Sequence, residues 1–238
     1  MTLPPHELAP GFDELGVLAF TTTRQAGSFN LASSEPVVQV FGRWMELLAS
    51  LAPGARRLAT AVQVHGDRIL SHDGSWNGWL RDTSGADGHL TTTPGTAMAV
   101  TLADCVPVFM AHPSGIGLLL HSGWKGTASR IVVRGLQEIA RRRLDMAQTR
   151  VHLGAAICGR CYEVGPDVYA AVTGTVVDQP ALLDLREVIA EQARQAGATV
   201  TISESCTRCN HDRFFSHRAG DTGRQLGVLV LTADRQLR

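Results

Sequence analysis

Apolar residues along this chain follow two rhythms, and the switching between them predicts its elements. Continuous or alternating β-branched and aliphatic runs predict strands over Leu15 to Thr21, Arg57 to Val64, Thr96 to Leu102, Val106 to Ala111, Gly115 to His121, Arg150 to Ala156, Ala198 to Ser203 and Leu226 to Leu231. Helical spacing marks Glu35 to Ala52, with Ser34 as the expected cap, Pro36 in the first turn and Pro53 as the stop. It also marks Thr127 to Leu144, where Val132, Leu136, Ile139 and Leu144 share one side and Arg141 to Arg143 fill the last turn. A further helix is expected over Pro180 to Ala196, stopped by Gly197, and a short one over Pro166 to Val172. Many strands and few helices indicate an α+β fold, built on a mixed sheet or on two packed sheets with helices outside.

Composition narrows this picture. Hydrophobic residues make up 44% and charged residues 18% of the 238 positions, as in a globular protein with a proper core. No Pro/Gly/Ser linker or repeat divides the chain, so residues 1–238 are read as a single domain. Lys plus Arg and Asp plus Glu balance at 22 each, which gives no global field toward nucleic acid or an anionic membrane. Apolar runs such as Gly115 to Leu120 are strand-sized, and the first residues show no secretory pattern. A cytoplasmic setting follows as an expectation. There the 5 cysteines stay reduced and act as core, ligand or nucleophile.

Three segments concentrate chemistry at strand ends: Gln63-Val64-His65-Gly66, Ala103-Asp104-Cys105-Val106-Pro107 and His121-Ser122-Gly123-Trp124-Lys125-Gly126-Thr127. His65, Cys105 and His121 suit Zn²⁺, and three protein ligands leave one tetrahedral position open, as in a catalytic site. Asp104 is placed to orient a ligating histidine or to transfer a proton. Lys125, between glycines at a helix start, suits an anion such as phosphate, and Trp124 a pocket wall. Arg24, in a run of small residues, suits a phosphate or ribose contact, with Arg57 a weaker candidate. Arg218 and Arg224 read as ties for the C-terminal segment. Spacing alone leaves the bland reading open: a strand-end histidine is often structural, and a buried cysteine is often small core.

The remaining cysteines, Cys158-x-x-Cys161 and Cys206-x-x-Cys209, are separated by far more than the roughly 15 to 20 residues of a zinc ribbon. They are therefore read as core or pocket lining, ahead of a structural site of four cysteines and of a redox couple. His211 and His217 are read as loop histidines, and His72, His89, His112 and His152 carry no assigned role. Residues Gly74 to Gly85, rich in turn formers and Trp, are read as a mobile loop over the site.

The three segments, taken with others along the chain, resemble the laccase-domain family, variously labelled multicopper polyphenol oxidase, peptidoglycan editing factor and purine nucleoside phosphorylase. The likeness extends through Thr23-Arg24-Gln25-Ala26-Gly27-Ser28-Phe29-Asn30-Leu31, Ala86-Asp87-Gly88, Cys161-Tyr162-Glu163-Val164-Gly165, Phe214-Phe215-Ser216-His217-Arg218 and Thr222-Gly223-Arg224. The resemblance implies a layered sandwich of mixed sheets between helices and a zinc held by His65, Cys105 and His121. It implies phosphorolysis of purine nucleosides (adenosine, inosine, guanosine, methylthioadenosine) with adenosine deamination beside it. Small nucleoside and phosphate partners follow, without nucleic acid or membrane, in a monomer or weak homo-oligomer. Phosphate would be oriented by Arg24 and the Lys125 loop. Hydrolytic editing of a mis-aminoacylated peptidoglycan precursor, a copper phenol oxidase and a zinc-stabilised binding module are the alternatives. Against several coppers, the chain contains no His-x-His. In another reading Cys105 is a nucleophile with His121 as its base. The chain departs from the family where it is shorter after Leu31, at Cys158-Gly159-Arg160 and at Ala219.

Overall fold

The computed structural model describes residues 2–52 and 54–233, so the expected stop at Pro53 lies outside the described residues. Its strands are β1 (His6–Leu8), β2 (Val17–Thr22), β3 (Arg57–Ala61), β4 (Ile69–His72), β5 (Gly78–Asp82), β6 (Gly88–Thr91), β7 (Thr96–Leu102), β8 (Val106–His112), β9 (Ile116–Ser122), β10 (Arg150–Leu153), β11 (Glu163–Val164), β12 (Ala181–Leu182), β13 (Thr199–Ile202) and β14 (Gln225–Leu231). The helices are α1 (Val37–Leu51), α2 (Trp124–Ala128), α3 (Ile131–Ala140), α4 (Pro166–Thr173) and α5 (Leu185–Gln195).

Two 6-stranded mixed sheets form, in the orders β1-β2-β14-β7-β3-β5 and β13-β10-β8-β9-β6-β4. Period-two alternation sorts their side chains into layers. On β7, Ala97 and Ala99 face α1, whereas Met98, Val100 and Leu102 face the other sheet. On β8, Val106, Val108 and Met110 lie with Ile131, Leu136 and Ile189 of the helices, while Phe109 and Ala111 join the inter-sheet core. Both faces of these central strands are covered, which is why they read as continuous apolar runs. The resulting order is helix, sheet, sheet, helix: an α+β sandwich of mixed sheets between helices, as expected. Among the described residues no helix is long and apolar enough to cross a membrane.

Several boundaries differ from expectation for identifiable reasons. The Thr127 to Leu144 helix is two helices, broken at Arg130, which adopts φ 58°. Ser34 does not cap α1; Pro36 occupies that position without a side-chain hydrogen bond. The Pro180 to Ala196 segment first pairs as β12, and α5 begins only after Asp184, whose side chain accepts from the Arg186 N–H. The Gly74 to Gly85 segment is not a loop throughout, since it holds β5, paired in parallel with β3 at the sheet edge. Strands β1, β4, β5 and β6 are only 3 to 5 residues long, too short for periodicity to reveal.

Candidate metal centre

Strand β3 stops at Ala61, and the chain then turns sharply enough for the next residues to converge on one carboxylate. Asp87 accepts hydrogen bonds from the backbone N–H groups of Val64 (3.1 Å), His65 (3.0 Å) and Gly66 (2.7 Å). These bonds hold His65 at φ 59°, a left-handed conformation that a non-glycine residue seldom adopts. Asp87 also meets His121 Nδ1 at 2.8 Å, and its carbonyl accepts from the His121 N–H at 2.7 Å. A buried carboxylate thus orients one imidazole and fixes the backbone that carries another, the arrangement that steers metal-ligating histidines. Burial raises the Asp87 carboxyl, but the His121 side chain and the Gly66 and Val64 N–H groups outweigh it and keep it low.

Cys105 sits between β7 and β8. The turn before it places Asp104 at φ 80°, another left-handed non-glycine position. Asp104 does not orient a histidine: it accepts from Thr207 Oγ1 at 2.6 Å and from the Arg218 N–H at 2.7 Å. Its role is to anchor the turn that presents Cys105, and Asp87 takes the orienting role. The ligand atoms of His65, Cys105 and His121 all lie within 4.8 Å of one another. The His65 and His121 rings are 4.9 Å apart at 78°. Burial pushes the Cys105 thiol up, but the His121 charge and hydrogen bond, aided by His65, pull it down to about 6. Burial likewise lowers His121, yet Cys105 and Asp87 raise it to about 9. A thiolate beside imidazole nitrogens with a carboxylate behind is a donor set that fits Zn²⁺. Gly123 lets the strands close on it, because a Cβ there would stand 2.9 Å from Cys105 Sγ.

All three residues line one cleft of about 460 Å³, which suits a ligand of nucleoside size. Asn30, Arg81, His217 and Arg224 line it as well. The cations expected from the sequence stand elsewhere. Arg24 spends its guanidinium on His211 O (2.8 Å), Phe214 O (3.0 Å) and Asp221 (2.6 Å), and stacks 4.4 Å over Phe215. It ties down the loop that carries His217, and it does not line the cleft. Lys125 Nζ lies 5.5 Å over the Trp124 ring, and Trp124 packs against the helix-side core, so neither lines the cleft. The helix they begin has only 5 residues and no side-chain cap. Sequence reasoning gave no role to Asp87, although a lone acid between Ala86 and Gly88 at a strand start was its signal. It passed over Arg81 because β5 was read as loop, and it read His217 as solvated.

The cysteine pairs also differ from expectation. Cys158, Cys161, Cys206 and Cys209 bring their Sγ atoms within 4.8 Å of one another, despite the long gap in sequence.

Comparison with known proteins places this geometry in a context. A purine nucleoside phosphorylase of Mycobacterium tuberculosis is 35% identical over 224 residues, covering 86% of this chain and 88% of that protein. A protein named adenosine deaminase, from an unknown prokaryotic organism, is 29% identical over 85% of this chain and 88% of its own length. The crystal structure of YlmD from Geobacillus stearothermophilus superposes with a TM-score of 0.82 at 29% identity, covering 93% of each chain. That of a hypothetical protein, YfiH, from Bacillus licheniformis gives 0.85 at 26%, covering 96% of this chain and 97% of the other. The profile described as multi-copper polyphenol oxidoreductase laccase matches residues 20–232, and with that span and those relatives the chain belongs to this laccase-like family.

Proposed function

We propose that this chain is a zinc-dependent purine nucleoside enzyme, cleaving nucleosides with phosphate and also deaminating adenosine. The observation that carries the reading is the convergence of His65, Cys105 and His121 on the wall of a nucleoside-sized cleft, with Asp87 bound behind two of them. The names of the phosphorylase and deaminase relatives support the substrate class. A zinc ion held by His65, Cys105 and His121 would supply Lewis acidity to activate an attacking oxygen.

The protein's own groups do the rest. Asp87 holds the His121 ring and the His65 backbone in place, and Asp104 holds the turn of Cys105. Arg81 and Arg224 bring positive charge into the cleft, and we assign the phosphate to them in place of Arg24 and Lys125. Arg24 serves the site indirectly, by anchoring residues 211–221.

A second reading has one specific observation behind it: the Cys105 thiol, lowered to about 6 beside His121, resembles the activated nucleophile of a cysteine hydrolase. The readings part in the holoenzyme, because a thiolate bound to zinc alkylates slowly.

The test combines metal analysis of the purified protein with product analysis on adenosine plus phosphate, in the wild type and in His65→Ala. Zinc in the wild type, with adenine or inosine formed and both lost in the variant, supports the proposal. Zinc without nucleoside turnover overturns the substrate class and favours hydrolytic editing of a cell-wall precursor. Copper in place of zinc overturns the metal.

A further inference from the structure

The sulfur atoms of Cys158, Cys161, Cys206 and Cys209 converge on the side of the molecule where β10 and β13 end. These strands are parallel neighbours, with Leu153 opposite Ile202. Parallel pairing brings their C-terminal ends out side by side, and a parallel bridge between Ala156 and Cys206 carries the contact into the loops. Each loop then places its pair at nearly the same distance past its strand, so register does what proximity in sequence does in a zinc ribbon. A gap of 48 residues between Cys161 and Cys209 therefore does not keep the pairs apart.

The local geometry suits a cation that displaces the thiol protons. The Cys158 N–H points to Cys206 Sγ at 3.3 Å, and the Cys209 N–H points to the same sulfur at 3.4 Å. Amide donors to sulfur offset the negative charge that a thiolate cluster accumulates. Arg208, inside the second pair, donates to the Cys161 carbonyl at 3.3 Å. Zn–S bonds of about 2.3 Å in a tetrahedron put sulfur atoms about 3.8 Å apart. Cys161 Sγ and Cys209 Sγ stand 3.4 Å apart, and no pair in the set exceeds 4.8 Å. Cys158 and Cys206 are buried, Cys161 is half-buried and Cys209 is exposed, which leaves an entry path from one side.

We infer that Cys158, Cys161, Cys206 and Cys209 form a second, structural site for a zinc ion, separate from the His65, Cys105 and His121 centre. Binding exchanges the thiol protons to solvent for the cation, with no change of oxidation state. Four sulfur ligands close the coordination sphere, so this ion braces and does not catalyse. What it braces can be traced. Thr207, between the second pair, is buried and donates to Asp104, the neighbour of Cys105. The Thr207 N–H in turn reaches Ala156 O at 3.1 Å, just before the first pair. The clip thus holds both loops against the turn that presents Cys105. The inference does not depend on the substrate proposed above.

Metal content separates the two sites. In wild-type protein purified under nitrogen, about two zinc ions per chain are expected. The double variant His65→Ala/His121→Ala should keep about one, and Cys161→Ser/Cys209→Ser should also keep about one, because each pair serves a different ion. Retention of the full wild-type count in Cys161→Ser/Cys209→Ser would overturn the inference. Cobalt loading of His65→Ala/His121→Ala reads the same site without touching a cysteine. Intense thiolate-to-cobalt charge-transfer bands with tetrahedral d–d bands support the site, and their absence overturns it. A disulfide between Cys161 and Cys209, found by mass spectrometry in the anaerobic wild type, also overturns it and makes the cluster a redox pair.

Discussion

Two clusters of potential ligands lie at strand ends in this protein, and they differ in how each is held. His65 and Cys105 come from turns after β3 and β7 and His121 from the end of β9 itself, thus from both sheets, and they face a cleft. The four cysteines come from two loops after neighbouring parallel strands of one sheet. The first set mixes nitrogen and sulfur and is supported by the carboxylate of Asp87. The second is all sulfur, and its supports are backbone amides. An incomplete ligand set aimed at a cleft leaves room for a substrate, whereas a complete one leaves none. The same chemistry at strand ends can therefore serve a reaction in one place and rigidity in another.

The sharpest way to break this comparison is the titration of the metal-free protein. Cys105 is drawn down to about 6 against the effect of burial, chiefly by His121. Burial, with the hydrogen bonds and charges of its sulfur neighbours, pushes Cys161 up. Thiolate forms above the pKa and is lost below it. Alkylation of Cys105 by iodoacetamide should then level off above about pH 6, while that of Cys161 still rises at pH 9. Peptide mapping across a pH series checks this. A Cys105 profile with an ordinary midpoint would remove the imidazole-paired thiolate.

Asp87→Asn comes next in size. It keeps the shape but weakens the grip on the His121 ring and on three backbone amides, and a loss of about 10–100-fold in metal affinity or activity is expected. Zinc competition with a chromophoric chelator measures it. Affinity unchanged in this variant would move the orienting role away from Asp87. The smallest change is Gly123→Ala. Its new Cβ would crowd Cys105 Sγ at 2.9 Å, so activity should fall by up to about tenfold with little change in melting temperature. The four-cysteine cluster should keep its metal in both variants, and loss of that metal would mean that the two regions are one cooperative unit.

The sequence made some of this legible and hid the rest. The central strands announced themselves because both their faces are covered, and β7 runs over the expected Thr96–Leu102. His65, Cys105 and His121 could be picked out because each is a metal-binding side chain at the end of such a run. Asp87 could not be assigned, since its partners lie 22 and 34 residues away and the farther one, His121, meets it through pairing of β6 with β9. Arg24 misled because its acceptors, His211, Phe214 and Asp221, are loop groups whose return to the N-terminal segment no local pattern predicts. The cysteine pairs were hidden for the same kind of reason: their meeting depends on the register of β10 with β13, and spacing rules for ribbons assume neighbours in sequence.

Asp87 Oδ1 receives both the His65 N–H and the His121 ring. Sharing one fulcrum, the His121 ring and the backbone that carries the His65 ring are constrained together when ions of different radius arrive. Donors with fixed spacing penalise the ion that needs longer bonds or a square-planar field, however strong its intrinsic preference for nitrogen and sulfur. A single buried carboxylate would thereby act as a gauge, giving the centre selectivity among competing transition metals that its donor atoms alone do not provide.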